Sequence, residues 1–326
     1  MTTARAPVID VHITEDDLRQ ALRRDVETGL GDEPKWLSPV WFYDDRGSAL
    51  FNEITRLPEY YLTRAERRLL EAHADEIAER SGADTVVELG AGTCDKSRIL
   101  LDAFTRCERL ERYIPLDVSD GTLAAAASAL ADAYPGLTVH AVVGDFHRHV
   151  GKIPEGGRRL VAFLGSTIGN LVPEERRRFL FDLDCTMGSG DTLLIGTDLV
   201  KEPERLVAAY DDSAGVTAAF NRNVLAVMNR EFGAEFDPEC FEHVACWDAR
   251  AAHMEMRLRS TVDQVVSLPG LAMKVSFAAG EELRTEISAK FTPTQVEQEL
   301  FAAGFVVQAM WEDPEGFLLT LATPYC

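Results

Sequence analysis

The stretch Thr85-Val86-Val87-Glu88-Leu89-Gly90-Ala91-Gly92-Thr93-Cys94-Asp95-Lys96-Ser97 constrains this chain most. Thr85 to Leu89 is short and rich in β-branched residues, the pattern of a strand buried on both faces of a parallel sheet. Gly90 and Gly92 follow it. Without a Cβ, each permits a tight turn and a close approach of backbone to ligand. A helix then begins, and the first-turn N–H groups of a helix have no partner within it. Strand, glycine turn and helix in this order call for a fold in which parallel strands run into helix N-termini.

The following sequence keeps that rhythm. Strands are predicted at about 85–89, 112–118, 138–143, 159–165 and 191–197, and helices at about 94–106, 120–133 and 173–187. Such alternation implies a parallel sheet covered on both faces. Upstream, Thr14-x-x-Asp17 opens an amphipathic helix running to about Gly29, and a short helix is expected from Ser48 to Arg56. Thr63-x-x-Glu66 reads as a capping box for a helix that ends near Gly82. Beyond Leu199 the rhythm changes to a long helix, Val216 to Phe232, and then several strands within about 242–290. Thr292-Pro293 caps a last helix. Phe305–Trp311 and Phe317–Thr323 then form a hairpin around Asp313-Pro314-Glu315-Gly316. The expected architecture is α/β. A doubly wound, Rossmann-like domain occupies 61–197 and resumes at 291–326 with a closing antiparallel hairpin. An α+β domain is inserted at 198–290, packed with an N-terminal arm at 10–60.

Charge narrows the partners. The 326 residues carry 33 Lys and Arg against 54 Asp and Glu, a net charge of −21. That balance repels a phosphate backbone and an anionic membrane, so neither nucleic acid nor membrane is expected. No apolar run approaches a membrane span, and the N-terminus lacks a signal-peptide core. The six cysteines are dispersed with no C-x-x-C, which fits reduced thiols and a cytoplasmic location. Cys240-x-x-His243-x-x-Cys246 has no obvious fourth ligand and lies on a predicted strand, where side chains alternate between faces. No metal is expected. No exposed heptad calls for a dimer, so a monomer is expected.

In an open parallel sheet, ligands bind beyond the carboxyl ends of the strands. Gly90 and Gly92 follow the first strand, Asp117 ends the second, Gly144-Asp145-Phe146 follows the third and Gly165-Ser166-Thr167-Ile168-Gly169-Asn170 the fourth. A dinucleotide site requires a small residue where this chain has Asp95. Together with Glu88 just before the loop, that suits a ligand without phosphates, such as S-adenosylmethionine. Asp117 is placed to accept both ribose hydroxyls, and Asp145 to accept the adenine amino group with Phe146 against the base. Both aspartates equally suit helix caps. Lys96 is placed to reach a ligand carboxylate, and a surface lysine satisfies its spacing as well.

The Glu-x-Gly-x-Gly loop and the closing hairpin resemble the class I methyltransferases. More specific stretches extend the resemblance over nearly the whole chain: Trp41-Phe42-Tyr43-Asp44, Leu57-Pro58-Glu59-Tyr60-Tyr61, Phe163-Leu164-Gly165-Ser166-Thr167-Ile168-Gly169-Asn170 and Ala219-Phe220-Asn221-Arg222-Asn223. They resemble the histidine-specific Nα-methyltransferases of ergothioneine biosynthesis. Those enzymes convert L-histidine to hercynine (Nα,Nα,Nα-trimethylhistidine) by three transfers from S-adenosylmethionine. The resemblance implies Tyr60, Asn170, Tyr210, Met256, Glu286 and Ser288 as substrate contacts. It implies Tyr43, Gly90, Lys96, Asp117, Asp145, Phe146 and Gly165 at the cofactor, with Asn170 and Tyr43 nearest the chemistry. Each position carries the residue type that the family pattern expects. The divergent parts are the extreme N-terminus, the loop at 230–238 and the tail ending in Cys326.

The residue types suit the substrate. Glu286 and Ser288 lie two apart on a predicted strand, hence on one face, where a carboxylate would accept an imidazole N–H. A solvated acid at Glu286 and edge packing at Tyr60 and Tyr210 are the plainer alternatives. A methyltransferase of the same fold acting on another free amino acid or small amine shares the cofactor half. An NAD-dependent oxidoreductase is disfavoured by Asp95, and a non-catalytic binding module has no need of a small-substrate pocket.

Overall fold

The computed structural model describes residues 5–94 and 96–325. Its elements run β1 (Val8–Val11), α1 (Glu15–Gly29), α2 (Asp45–Ile54), α3 (Leu62–Ser81), β2 (Thr85–Leu89), α4 (Ser97–Arg106), β3 (Arg112–Asp117), α5 (Asp120–Ala133), β4 (Thr138–Val143) and α6 (Phe146–His149). They continue β5 (Arg159–Phe163), α7 (Pro173–Thr186), β6 (Thr192–Asp198), α8 (Pro203–Tyr210), α9 (Val216–Phe232), β7 (Phe241–Asp248), β8 (His253–Ser260), β9 (Gln264–Leu268), β10 (Met273–Phe277), β11 (Glu282–Ala289), α10 (Pro293–Ala302), β12 (Phe305–Asp313) and β13 (Phe317–Pro324). Among the described residues no helix is long and apolar enough to cross a membrane.

The chain divides into two compact units. The first takes Met1–Thr14, Arg64–Leu199 and Phe291–Cys326, the second Glu15–Thr63 and Val200–Lys290. The first unit is an α/β sheet of eight strands in the order β1-β4-β3-β2-β5-β6-β13-β12. β1 through β6 pair in parallel, and β13 and β12 close the sheet antiparallel. β2, β5 and β6 are buried along their whole length, as strands covered on both faces must be. The order reverses at β2, so the glycine turn after β2 stands where the sheet switches direction.

Two elements escape the sequence reading. β1 is a four-residue edge strand with Val8 and Val11 exposed, so it lacks the burial pattern that marks a strand. α8 is eight residues long with proline at its start, too short for helical periodicity to show. The Thr63-x-x-Glu66 reading is corrected. The helix starts at Leu62 and Glu66 is fully buried, its Oε1 accepting from the Gly165 N–H at 2.6 Å and its Oε2 paired with Lys96. Glu66 lies on the apolar stripe of α3, four residues after Leu62 and three and four before Leu69 and Leu70, so it turns inward instead of capping.

The second unit packs α1, α2, α8 and α9 with a three-stranded antiparallel sheet, β11-β8-β7, and a hairpin of β9 and β10. Asp44 caps α2 by accepting from the Gly47 N–H at 2.8 Å. Asp44 also receives Asn223 Nδ2 at 2.8 Å and Arg230 Nη1 at 2.7 Å, which ties the start of α2 to α9.

Asn221 binds α9 to each strand of that sheet. Its Nδ2 donates to His243 Nδ1 on β7 at 2.8 Å and to the Arg257 carbonyl on β8 at 3.0 Å. Its Oδ1 accepts from Thr285 Oγ1 on β11 at 2.6 Å. His243 Nε2 in turn donates to the Tyr210 carbonyl at 2.9 Å, so both ring nitrogens of the histidine in Cys240-x-x-His243-x-x-Cys246 serve packing. Burial holds the His243 pKa below its ordinary value and favours the neutral ring this geometry needs. Asn221→Leu removes hydrogen bonds to all three strands, although Thr285 Oγ1 keeps the Met256 carbonyl at 3.0 Å, and is expected to cost about 3 kcal/mol. Urea unfolding measures it, and a loss below about 0.5 kcal/mol, the scale of a neutral surface change, contradicts this role.

Candidate functional site

Two polar clusters stand out, one in each unit. In the first unit, the turn after β2 carries Gly90 at φ +70° and Gly92 at φ +52°, conformations that favour glycine. A Cβ built on either would meet nothing within 4 Å, so the turn leaves open space where a side chain would project. The Gly90 N–H donates to the Leu116 carbonyl at 2.9 Å, and the Gly92 N–H to Asp117 Oδ2 at 2.9 Å. Asp117 Oδ1 accepts from the Ser119 N–H at 3.0 Å. Each carboxylate oxygen accepts about two hydrogen bonds, so Asp117 retains capacity for a vicinal diol while it anchors the loop. Asp95 lies outside the described residues.

Glu88 does not face a ligand. Its carboxyl is buried and accepts from Ser97 and from the Tyr113 hydroxyl, the latter at 2.6 Å. Burial raises its pKa, and the two hydroxyls oppose that rise. Its work is to hold the first residue of α4 against β2 and β3.

Lys96 is engaged by Glu66, whose other oxygen holds the Gly165 N–H. Gly165, at φ +77°, follows β5 and is succeeded by Ser166, a non-glycine residue at φ 57°. Ser166 Oγ accepts from the Asp198 N–H at 3.0 Å, which pins this unusual turn to the end of β6. A single 3-10 turn, Thr167–Asn170, ends on Asn170. Asn170 is half-buried, and its amide has no hydrogen-bond partner among the described residues. Asp145 caps α6 by accepting from the His147 N–H at 2.9 Å, and Phe146 packs edge-on to Phe163 at 5.1 Å. The chemistry available here is a tight glycine turn, a carboxylate for a diol, a second carboxylate beside an aromatic ring, and a lysine held at the turn. That set fits an adenosyl ligand carrying an amino acid.

In the second unit, Glu286 and Ser288 alternate on β11 and so share a face, and Lys290, just beyond the strand's end, reaches Ser288 Oγ with its Nζ at 2.9 Å. Met256 on β8 stands in register opposite Glu286 and is buried, so its side chain lies on the same face. Glu286 is half-buried with no hydrogen-bond partner among the described residues, and desolvation pushes its pKa up to about 7 against the pull of the Lys290 ammonium. Tyr210 donates its hydroxyl to Ser288 Oγ at 2.8 Å. The Tyr60 and Tyr210 rings meet edge-on at 6.4 Å. Tyr60 also touches Phe51 at 6.1 Å, and Tyr43 touches Phe51 and Phe220, each at 5.6 Å. This cluster pairs an acidic acceptor and a hydroxyl with aromatic walls, which suits a flat, polar ring.

The structure therefore gathers Gly90, Lys96, Asp117 and Gly165 at the strand ends of one unit, and Tyr60, Tyr210, Met256, Glu286 and Ser288 around β11 of the other. Two residues were missed. Glu66 reads as a cap from its spacing after Thr63, although it falls on the apolar stripe of its helix. Lys290 extends the Glu286-Ser288 alternation by one step within the buried run Ile287–Phe291, and that was the signal for it.

The sequence profile described as "Histidine-specific methyltransferase, SAM-dependent" matches residues 22–323. The chain is 55% identical over 312 residues to the histidine N-alpha-methyltransferase of Mycolicibacterium smegmatis, covering 95% of this chain and 97% of that one. It is 53% identical to the protein of the same name from Mycobacterium tuberculosis, with the same coverage. Ergothioneine biosynthesis protein 1 of Neurospora crassa is 33% identical over 247 residues, 71% of this chain and 27% of that much longer one. A match that spans both units at this identity leaves one assignment: the chain belongs to the family of S-adenosylmethionine-dependent, histidine-specific methyltransferases.

Proposed function

We propose that this chain transfers three methyl groups in succession from S-adenosylmethionine to the α-amine of L-histidine, yielding hercynine as the first step toward ergothioneine. The observation that carries the reading is Glu286, an acid facing Met256 on a strand with no protein partner of its own among the described residues. A half-buried carboxylate of this kind is costly unless a ligand supplies a donor. An imidazole N–H is such a donor, and it distinguishes histidine from apolar amino acids. The names of the bacterial relatives support histidine as substrate, and that of the fungal relative supports the pathway.

In this reading Glu286 and Ser288 hold the ring, with Tyr60 beside it and Met256 as the wall. The family resemblance assigns Tyr210 and Asn170 to the same amino acid. Asn170 carries both donors and an acceptor, so one side chain serves amine and carboxylate together. The sulfonium supplies an activated methyl group and needs no metal to make it leave. The protein's task is to present the neutral amine lone pair in line with that methyl, and positioning of this kind is worth up to about 7–11 kcal/mol. Gly90, Gly165, Asp117, Asp145 and Phe146 hold the adenosyl part and Lys96 its carboxylate, and the resemblance assigns Tyr43 to the chemistry.

Glu286→Ala is expected to lower kcat/KM for histidine by about 1.5–3 kcal/mol, the scale of a charge-assisted bond, and to weaken discrimination against phenylalanine and tryptophan. Efficiencies on the three amino acids measure this. An unchanged histidine preference returns Glu286 to the role of a solvated acid.

The raised Glu286 pKa also predicts a stability slope. The unfolded chain ionises this group near 4.5 and the folded chain only near 7, so between them the folded state holds one proton more. The contribution is therefore full below about pH 4.5 and is lost as pH rises through about 7. Glu286→Gln removes that slope. Ligand-free unfolding at about pH 5 and about pH 8 tests it, and parallel losses in wild type and variant would sink the assignment.

A further inference from the structure

Asp145 opens α6 with its carboxylate, but its own backbone N–H has a separate partner. That N–H donates to His149 Nδ1 at 3.0 Å, while the His149 N–H returns to the Asp145 carbonyl at 2.8 Å. The ring packs against the turn: a Cβ on Gly144 would meet His149 Cγ and Nδ1 at 3.3 Å. A backbone N–H can only donate, so Nδ1 must hold a lone pair and the ring hydrogen must sit on Nε2. A protonated imidazole carries a hydrogen on both nitrogens and would set donor against donor here. The contact therefore requires the neutral ring. Other ionisable groups surround it. His12, which follows β1, places its ring 6.2 Å from that of His149 and donates its backbone N–H to the Val143 carbonyl at 2.9 Å. Asp10 and His140 pair at 2.7 Å between β1 and β4. Asp117 takes the Gly144 N–H on its carbonyl at 2.9 Å. His147 and Arg148 precede the ring on α6, and Glu175 of α7 lies close enough to act on His147 electrostatically.

Asp145 is the acid read above as the acceptor of the adenine amino group. Its Oδ1 serves the His147 N–H at 2.9 Å, so Oδ2 is the oxygen that remains for a ligand. The aim of that carboxylate depends on the backbone that carries it, and His149 holds that backbone at both its N–H and its carbonyl. We propose that His149 is a positioning residue for S-adenosylmethionine: its neutral ring sets the Asp145 backbone, and protonation of the ring weakens cofactor binding. The proposal rests on the adenine reading of Asp145. Imidazole is the side chain whose charge ordinarily changes close to neutral pH, so the device works in an ordinary pH range. The sign follows from the lone pair. The cofactor prefers the neutral ring, so affinity is full at higher pH and falls as pH drops through the ring's titration.

The test measures S-adenosylmethionine affinity of the full chain by calorimetry, without histidine, at about pH 8 and about pH 5.5. His149→Phe keeps a ring but offers no acceptor, and is expected to weaken binding about tenfold at the higher pH, the scale of an orphaned donor. His149→Asn places an amide oxygen at the position of Nδ1 and does not titrate. It should recover most of that loss. On going to the lower pH, wild type should lose about fivefold more affinity than His149→Asn. His12, His147 and both aspartates are common to these variants, so that difference isolates the ring. In an Asp145→Ala background, His149→Phe should add nothing, because both act on one carboxylate. Undiminished affinity in His149→Phe, or one pH profile shared by wild type and His149→Asn, overturns the proposal. The second comparison carries the test alone if His149→Phe does not fold. Either result leaves the adenine reading standing where Asp145→Ala itself weakens binding, and undiminished affinity in Asp145→Ala overturns both.

Discussion

The cofactor side of this protein depends on one buried carboxylate. Glu66 is inaccessible to solvent, and it spans α3, the turn after β5 and the start of α4 through Gly165 and Lys96. Gly196 on β6 passes so close that a Cβ there would meet Glu66 Oε1 at 2.3 Å, so the strand leaves room for the acid only because that residue is glycine. An unpaired carboxylate in such a place would cost several kcal/mol. Lys96 and the Gly165 N–H offset that cost, and in doing so they set the two loops at which an adenosyl amino acid would lie. Buried charge here serves geometry more than stability.

The second unit uses polar groups in the same way. Asn221 fastens α9 to all three strands of a small sheet, and the strand it reaches through Thr285 is the one that presents Glu286 and Ser288. The polar face of β11 is therefore supported from behind by a hydrogen-bonded network and bounded at its end by the Lys290 ammonium. A face whose donors and acceptors are fixed before a ligand arrives loses little entropy on binding, which is how a small polar ring is told from an apolar one of similar size.

Much of this was legible in the sequence. The β2 strand, its glycine turn and the alternation to β6 were marked by β-branched runs and by glycines, both strong local signals. The strand-end acids Asp117 and Asp145 could be located because a parallel sheet puts strand ends on one side. Glu286 and Ser288 share a face as their two-residue spacing implies, and only the family resemblance singles them out as substrate contacts. What stayed hidden depends on contacts distant in sequence. Glu88 and Glu66 look like ligand-facing and capping acids until the fold shows which neighbours they turn toward. β1 carries exposed valines, so no burial pattern announced it. Lys290 reads as a surface lysine until Tyr210, eighty residues away, closes over it.

The account stands on the claim that this chain methylates the α-amine of free histidine to completion. Purified protein supplied with methyl-labelled S-adenosylmethionine and a panel of free amino acids, with products read by mass spectrometry, addresses it directly. The account predicts that label passes to histidine ahead of every other amino acid and accumulates as the species bearing three methyl groups on one nitrogen. Label passing preferentially to a different amine, or stopping at a single methyl with excess donor, would contradict it.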